Sequence, residues 1–301
     1  MSQNVDTAER VSKQGRSSRR RRAIVLAFAA AVVAIANPRV TQSRLAVAND
    51  ASPRVEGVYP SGARLPANLL RLYVVFSTPM AAGESRTRLR LEDDRGRTVD
   101  RAFLALDEEL WDPSGRRLTV LFDPGRIKRG LRANVEMGPP LVEGRRYRLV
   151  VDAGWRDASG RALSADYFKT FEVVAARRDK PDPRTWSIRS PQAGTRTPLV
   201  VHFADPLDRG LLYTSLAVEH GLGNPVHGTI DVPDEEIEWW FTPDDPWAAG
   251  AHRLRVSPDL EDPAGNSVTR VFDAELSTTK HDTPTVLTRD FLISPSGRPT
   301  S

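Results

Sequence analysis

The chain is predicted to be all-β: two antiparallel β-sandwiches in tandem behind an N-terminal signal segment. Three observations carry that expectation. From Pro53 onward, apolar residues alternate at period two or cluster in short runs between Gly, Pro and Asp, and no stretch sustains the 3.6-residue period of an amphipathic helix. An apolar run that ends in Phe, two small or polar residues and Pro occurs twice, as VVFSTPM at 74–80 and VVHFADPLD at 200–208. Two further stretches then recur in the same order.

The first 48 residues read as an export leader. Four consecutive arginines, Arg19 to Arg22, precede the apolar run AIVLAFAAAVVAIA at 23–36, which has the length of a signal-peptide core and is short for a bilayer span. Small-x-small sites end at Ala36 and at Ala48, and cleavage after Ala48 leaves a polar stretch between the run and the cut. The alternative is an uncleaved, short membrane anchor.

The first sandwich is expected over 53–175. In LLRLYVVF, Leu70, Leu72, Val74 and Phe76 share one face and Arg71 and Tyr73 the other, a half-buried strand that Pro79 stops. RRLTVLFDP at 116–124 and EGRRYRLVVDAGWRDASGRAL at 143–163 follow, with YFKTFEV at 167–173 as the closing strand. The proline-bearing, charged segment 176–185 reads as a short stiff linker.

The second sandwich, expected over 186–278, repeats the series. EEIEWWFTP at 235–243 matches 116–124, AGAHRLRVSPDLEDPAGNSV at 249–268 matches 143–163, and RVFDAEL at 270–276 is the expected last strand. Residues 279–301 then read as a C-terminal tail with one apolar patch, FLI at 291–293. The spacing between copies falls from 127 to 119 to about 105, so the first copy carries an insertion near 125–141 where the second has only DDPWA. Each copy closes on a turn in which Asp binds backbone amides and Gly or Asn takes positive φ: Asp157 with Gly160, and Asp262 with Gly265 and Asn266.

VYPSGARLPANLLRLYVVFSTPM, LTVLFDP, EGRRYRLVVD and DASGRAL resemble the bacterial Ig-like domain of S-layer proteins, the SbsA type. The first copy shows all four elements, except that Arg161 stands where Asn is usual, and the second copy is degenerate at its start and lacks the tyrosine of the G-x-x-Y strand. The resemblance implies an exported, non-catalytic structural, adhesive or protein-interaction module of the cell envelope. Its partner would be an envelope protein or glycan, and its location secreted, periplasmic or cell-surface.

Composition and motifs narrow the alternatives. The chain has no cysteine, which excludes thiol chemistry, Cys-ligated zinc and disulfides. The net charge of +4 belongs to the leader: residues 1–48 carry +7 and the rest −3, which argues against nucleic acid as a partner. Membrane contact is expected only through an uncleaved leader. The five histidines lack HExxH or His-x-His spacing, so no metal site is expected; His220 and His227 flank a turn and are expected to approach each other. The acidic runs 231–238 and 242–246 offer carboxylates to calcium but no D-x-D-x-D loop, and no cofactor is expected. No G-x-S-x-G or phosphate loop is present, and no enzymatic activity is expected. If Ile237, Trp239 and Phe241 face the core, Trp240 faces outward with Glu236, Glu238 and Thr242. Trp240 and Trp247 are therefore the candidate interaction surface, and a carbohydrate-binding or enzyme-accessory module is the second reading.

Overall fold

Among the described residues, sixteen strands form two pairs of four-stranded sheets. The computed structural model describes residues 52–221, 223–272 and 286–295. The leader, including both cleavage sites, lies outside the described residues.

The first sandwich uses β1 (Val55–Tyr59), β2 (Arg64–Pro66), β3 (Arg71–Phe76), β4 (Leu89–Asp93), β5 (Leu110–Trp111), β6 (Arg117–Leu121), β7 (Arg146–Val151) and β8 (Tyr167–Val174). One sheet has the order β1-β3-β6-β5 and the other β2-β8-β7-β4. Pairing is antiparallel except between β2 and β8, which run parallel through Arg64↔Glu172 and Leu65↔Val173. Leu72, Val74 and Phe76 do face the core, where Phe76 meets Trp155 edge to face at 5.3 Å. Met80, after the Pro79 stop, is buried as well.

The second sandwich uses β9 (Ser187–Arg189), β10 (Leu199–His202), β11 (Leu216–His220), β12 (Asn224–Pro225), β13 (Gly228–Asp231), β14 (Glu238–Pro243), β15 (Gly250–Val256) and β16 (Leu287–Ile293). Its sheets are β9-β10-β14-β13 and β12-β11-β15-β16. The core gathers Trp186, Phe203, Trp239, Phe241, Trp247 and Leu254. Phe203 and Leu207 hold the places of Phe76 and Met80: the amide of Met80 donates to the Gly115 carbonyl, and that of Leu207 to the Glu236 carbonyl.

The last strand differs from expectation. Residues 279–301 are not merely a tail, because β16 pairs with β15 along its whole length, from Val256↔Leu287 to Gly250↔Ile293. Leu287, Arg289, Phe291 and Ile293 share the inward face, and Arg289 in the middle of that face broke the apolar pattern. Of RVFDAEL, Val271 and Phe272 are not strand and 273–276 lie outside the described residues.

Among the described residues four short α-helices interrupt the strands: α1 (Ser85–Arg88), α2 (Pro124–Ile127), α3 (Arg132–Met137) and α4 (Arg209–Leu212). Two of them, α2 and α3, form the insertion. None of the described helices is long and apolar enough to cross a membrane.

Candidate functional site: the seam between the sandwiches

The two predicted surface tryptophans separate. Trp247 is a core residue, 3% exposed, whose indole N–H donates to the Thr197 carbonyl at 2.8 Å, so it cannot belong to an outward surface. Trp240 is half-buried on the outward face of β14, beside Val200 and Asp231 in register, and its N–H donates to Glu238 at 2.8 Å. His220 sits opposite His252 in the β11–β15 ladder, their rings 4.6 Å apart, and burial pushes the His252 pKa down. Among the described residues no group of three or more His, Asp or Glu is placed to hold a metal ion.

The densest polar constellation lies where the second sandwich meets the first. Arg71 and Tyr73, on the outer face of β3, are both buried because the second sandwich covers them. The Arg71 guanidinium forms an ion pair with Asp208 at 3.3 Å and donates to Glu261, and the Tyr73 hydroxyl donates to Asp208 at 2.7 Å. Asp208 also caps α4, accepting the Leu211 amide at 3.0 Å. Burial works against the charged form of Arg71, but Asp208, Tyr73 and Glu261 more than offset it and its pKa rises. Arg71 thus stays cationic, and a single cation faces two carboxylates. Burial pushes the carboxyl of Glu261 up to about 7, with Arg71 and Arg270 pulling it down and Asp208 pushing it up.

A second set of contacts flanks this triad. Glu236 is fully buried and accepts the Ser61 amide through both oxygens at 2.9 and 3.1 Å, while the Glu235 amide donates to the Ser61 hydroxyl at 2.6 Å. Arg209 stands 3.6 Å from Glu236 and lays its guanidinium 3.9 Å from the Tyr59 ring centroid. Glu235 and Glu236 take φ of 69° and 54°. The ladder shifts the expected match by two residues, since Leu118 and Trp239 pair with Val74 and Val201, so the first-copy equivalent of Glu236 is Gly115, with φ of 67°. Side-chain-bearing residues in that region are strained by about 1–3 kcal/mol each. The strain falls on the residues that reach across the seam, and it reverses the strand alternation that pointed Glu236 outward.

The closing turn of the second copy supplies the third set. Asp262 accepts the amides of Ala264 and Asn266, both at 2.9 Å, and Gly265 takes φ of 81°. The turn presses on the first sandwich: the Leu70 amide donates to the Pro263 carbonyl at 2.9 Å, and a Cβ on Gly265 would lie 2.5 Å from Leu70. The Asn266 amide donates to the Arg177 carbonyl at 3.2 Å, and Asn68 holds the Arg177 amide at 2.9 Å, so the linker backbone is clamped from both sides. Asp157 builds the same turn in the first copy, accepting the amides of Ser159 and Arg161 at 2.9 Å with Gly160 at φ of 84°.

A crevice of about 170 Å³ opens beside the seam between Tyr59, Tyr73, Arg117, Arg209 and Tyr213. It carries no nucleophile–base pair. Three sets of polar contacts join the second sandwich to the first.

No family model matches the chain, and no curated protein matches it. Among solved structures, the S-layer protein rSbsC aligns over 68% of this chain and 23% of its own, at 11% identity and a TM-score of 0.28. A chimeric titin Z1Z2 aligns over 82% and 98%, at 10% identity and a TM-score of 0.26. Native alpha-2-macroglobulin from Escherichia coli aligns over 61% and 60%, at 11% identity and a TM-score of 0.23. The chain thus spans less than a quarter of the rSbsC structure. The chain's own sheets carry the all-β, two-sandwich fold.

Proposed function

We propose that the chain is an exported, non-catalytic Ig-like module of the cell envelope whose two sandwiches act as one stiff connector. The observation that carries this reading is the buried contact of Arg71 with Asp208 and Glu261 across the seam. A flexible tether between independent modules leaves its facing surfaces solvated; here a cation and two carboxylates are taken out of water, which is tolerated only where the geometry is fixed. The leader supports the export half of the proposal.

Fractionation of cells that express the full chain tests the location, and pulsed electron-electron distance measurements between spin labels on the two sandwiches test the stiffness. The expected outcome is an extracytoplasmic protein with one narrow distance distribution that broadens in Arg71→Met. Cytoplasmic retention of the full chain, or a broad distribution in the unaltered protein, would overturn the reading.

A further inference from the structure

We infer that the crevice beside the seam binds a small aromatic carboxylate, with Arg117 holding the carboxylate and Tyr213 the ring. Its walls come from both sandwiches: Tyr59, Tyr73 and Arg117 from β1, β3 and β6, and Arg209 and Tyr213 from α4 and the position just after it. The site therefore exists only while the two sandwiches are docked.

Of the two cations that line the crevice, one is already committed. The Arg209 guanidinium lies over the Tyr59 ring, 3.6 Å from Glu236 and 3.4 Å from the Pro233 carbonyl. Arg117 is different. Its guanidinium carbon stands 5.4 Å from the Tyr73 ring centroid, its Nε is buried without a hydrogen-bond partner, and among the described residues its side chain forms no ion pair. A buried donor without a partner is costly and rare, so it marks a place that calls for an acceptor. Stacking on an aromatic face leaves the edge of a guanidinium free, and that edge matches a carboxylate through two parallel bonds. The neighbouring carboxylates do not claim it. Asp208 is held by Arg71 and Tyr73, and Glu236 by Arg209 and the Ser61 amide. Asp112, whose charge interacts with that of Arg117, is held by the amides of Arg116 and Arg117 and by the Ser114 hydroxyl. A single uncommitted cation selects a monoanion.

Size and lining choose the rest of the ligand. The crevice of about 170 Å³ takes one six-membered ring, since a cavity of about 150 Å³ holds benzene. Three tyrosine rings and Val75 supply apolar and aromatic surface, and Tyr213 is 39% exposed, with its ring open to a partner. An aromatic ring gains offset or edge-to-face contacts there. A sugar ring of the same size brings hydroxyls that must give up water, and the Tyr73 hydroxyl is already donated to Asp208.

The probe is 4-fluorobenzoate, followed by fluorine NMR against the full chain. A Kd on the order of 1 mM is expected for a ligand of about ten heavy atoms. The neutral 4-fluorobenzamide should bind about tenfold more weakly. Arg117→Gln should weaken the acid about tenfold and leave the amide unchanged, whereas Tyr213→Ala should weaken both. Trp240→Ala, outside the crevice, should change neither. No binding, equal binding of acid and amide, an unchanged acid in Arg117→Gln, or tighter binding of galacturonate than of the fluorobenzoate would each overturn the inference; the last would point to an acidic saccharide. The comparison of acid with amide is made on the unaltered protein, so it stands whatever the substitutions do to folding. The site rests on the docked seam of the connector reading, but the two fail on different readouts: a narrow interdomain distance distribution without fluorobenzoate binding removes the ligand and keeps the connector, and a broad one removes the connector.

Discussion

At the scale of single residues, the seam shows how the same side-chain pattern changes meaning once a second domain covers it. Alternation in β3 places Arg71 and Tyr73 opposite the core of their own sandwich, which is correct, but that face is then buried by Asp208 and Glu261 from 135 to 190 positions away. No local signal in the sequence announces a partner at that distance. Arg71→Met is expected to cost about 3–5 kcal/mol in chemical denaturation, because it leaves Asp208 and Glu261 buried without their cation. Glu261 makes the joint sensitive to pH. Its folded pKa of about 7 lies above the ordinary 4.5, so its contribution is complete below pH 4.5 and is lost as pH rises through 7. The loss is of the order of 3 kcal/mol. His252, pushed down from 6.5, gives a slope of opposite sign near the same window. The check is therefore a difference: in urea titrations from pH 4 to 8 the downward slope of the unaltered protein should be smaller in Glu261→Gln, the carboxyls of Glu236 and Asp262, also pushed up by burial, keeping the remainder. Trp247→Ala should cost about 3–5 kcal/mol as a core truncation, whereas half-buried Trp240→Ala should cost clearly less in the same titration.

Among elements, strands with clean alternation were legible and those that serve two masters were not. β3, β6 and β14 were readable because their inward positions are uniformly apolar, β15 because Leu254 and Val256 keep the period beside inward His252, and the Asp–Gly turns because their chemistry is local. β16 was hidden by the inward Arg289, which spends its guanidinium on the Pro183 carbonyl at the linker. Phe272, in the segment expected as that strand, is instead buried under the Lys128 ammonium of the insertion, 4.3 Å from its ring centroid. Glu236 was misplaced because two successive residues at positive φ break the period just before β14. Truncation before Leu287 is expected to prevent the second sandwich from folding, since it strips β15 of its neighbour and removes fully buried Ile293; loss of its cooperative transition in calorimetry would be the sign. A cleavable tail would leave that transition in place.

For the molecule as a whole, the question is whether the two sandwiches unfold together. Glu236→Gly is the cleanest probe, because it relaxes a strained backbone position to the residue found in the first copy while deleting the contact to Ser61. The second sandwich should keep or gain stability, yet a single calorimetric transition should divide into two and the interdomain spin-label distances should spread. The Asp–Gly turn that closes each copy has a further consequence. In the second copy it works as a plug: small Gly265 and the amide of Asn266 let it seat against Leu70 and the linker. In the first copy the matching plug ends in exposed Arg161, which curls back to its own Asp157 at 2.8 Å instead of offering an amide to a neighbour. One repeated turn thus makes a joint in the second copy and closes on itself in the first.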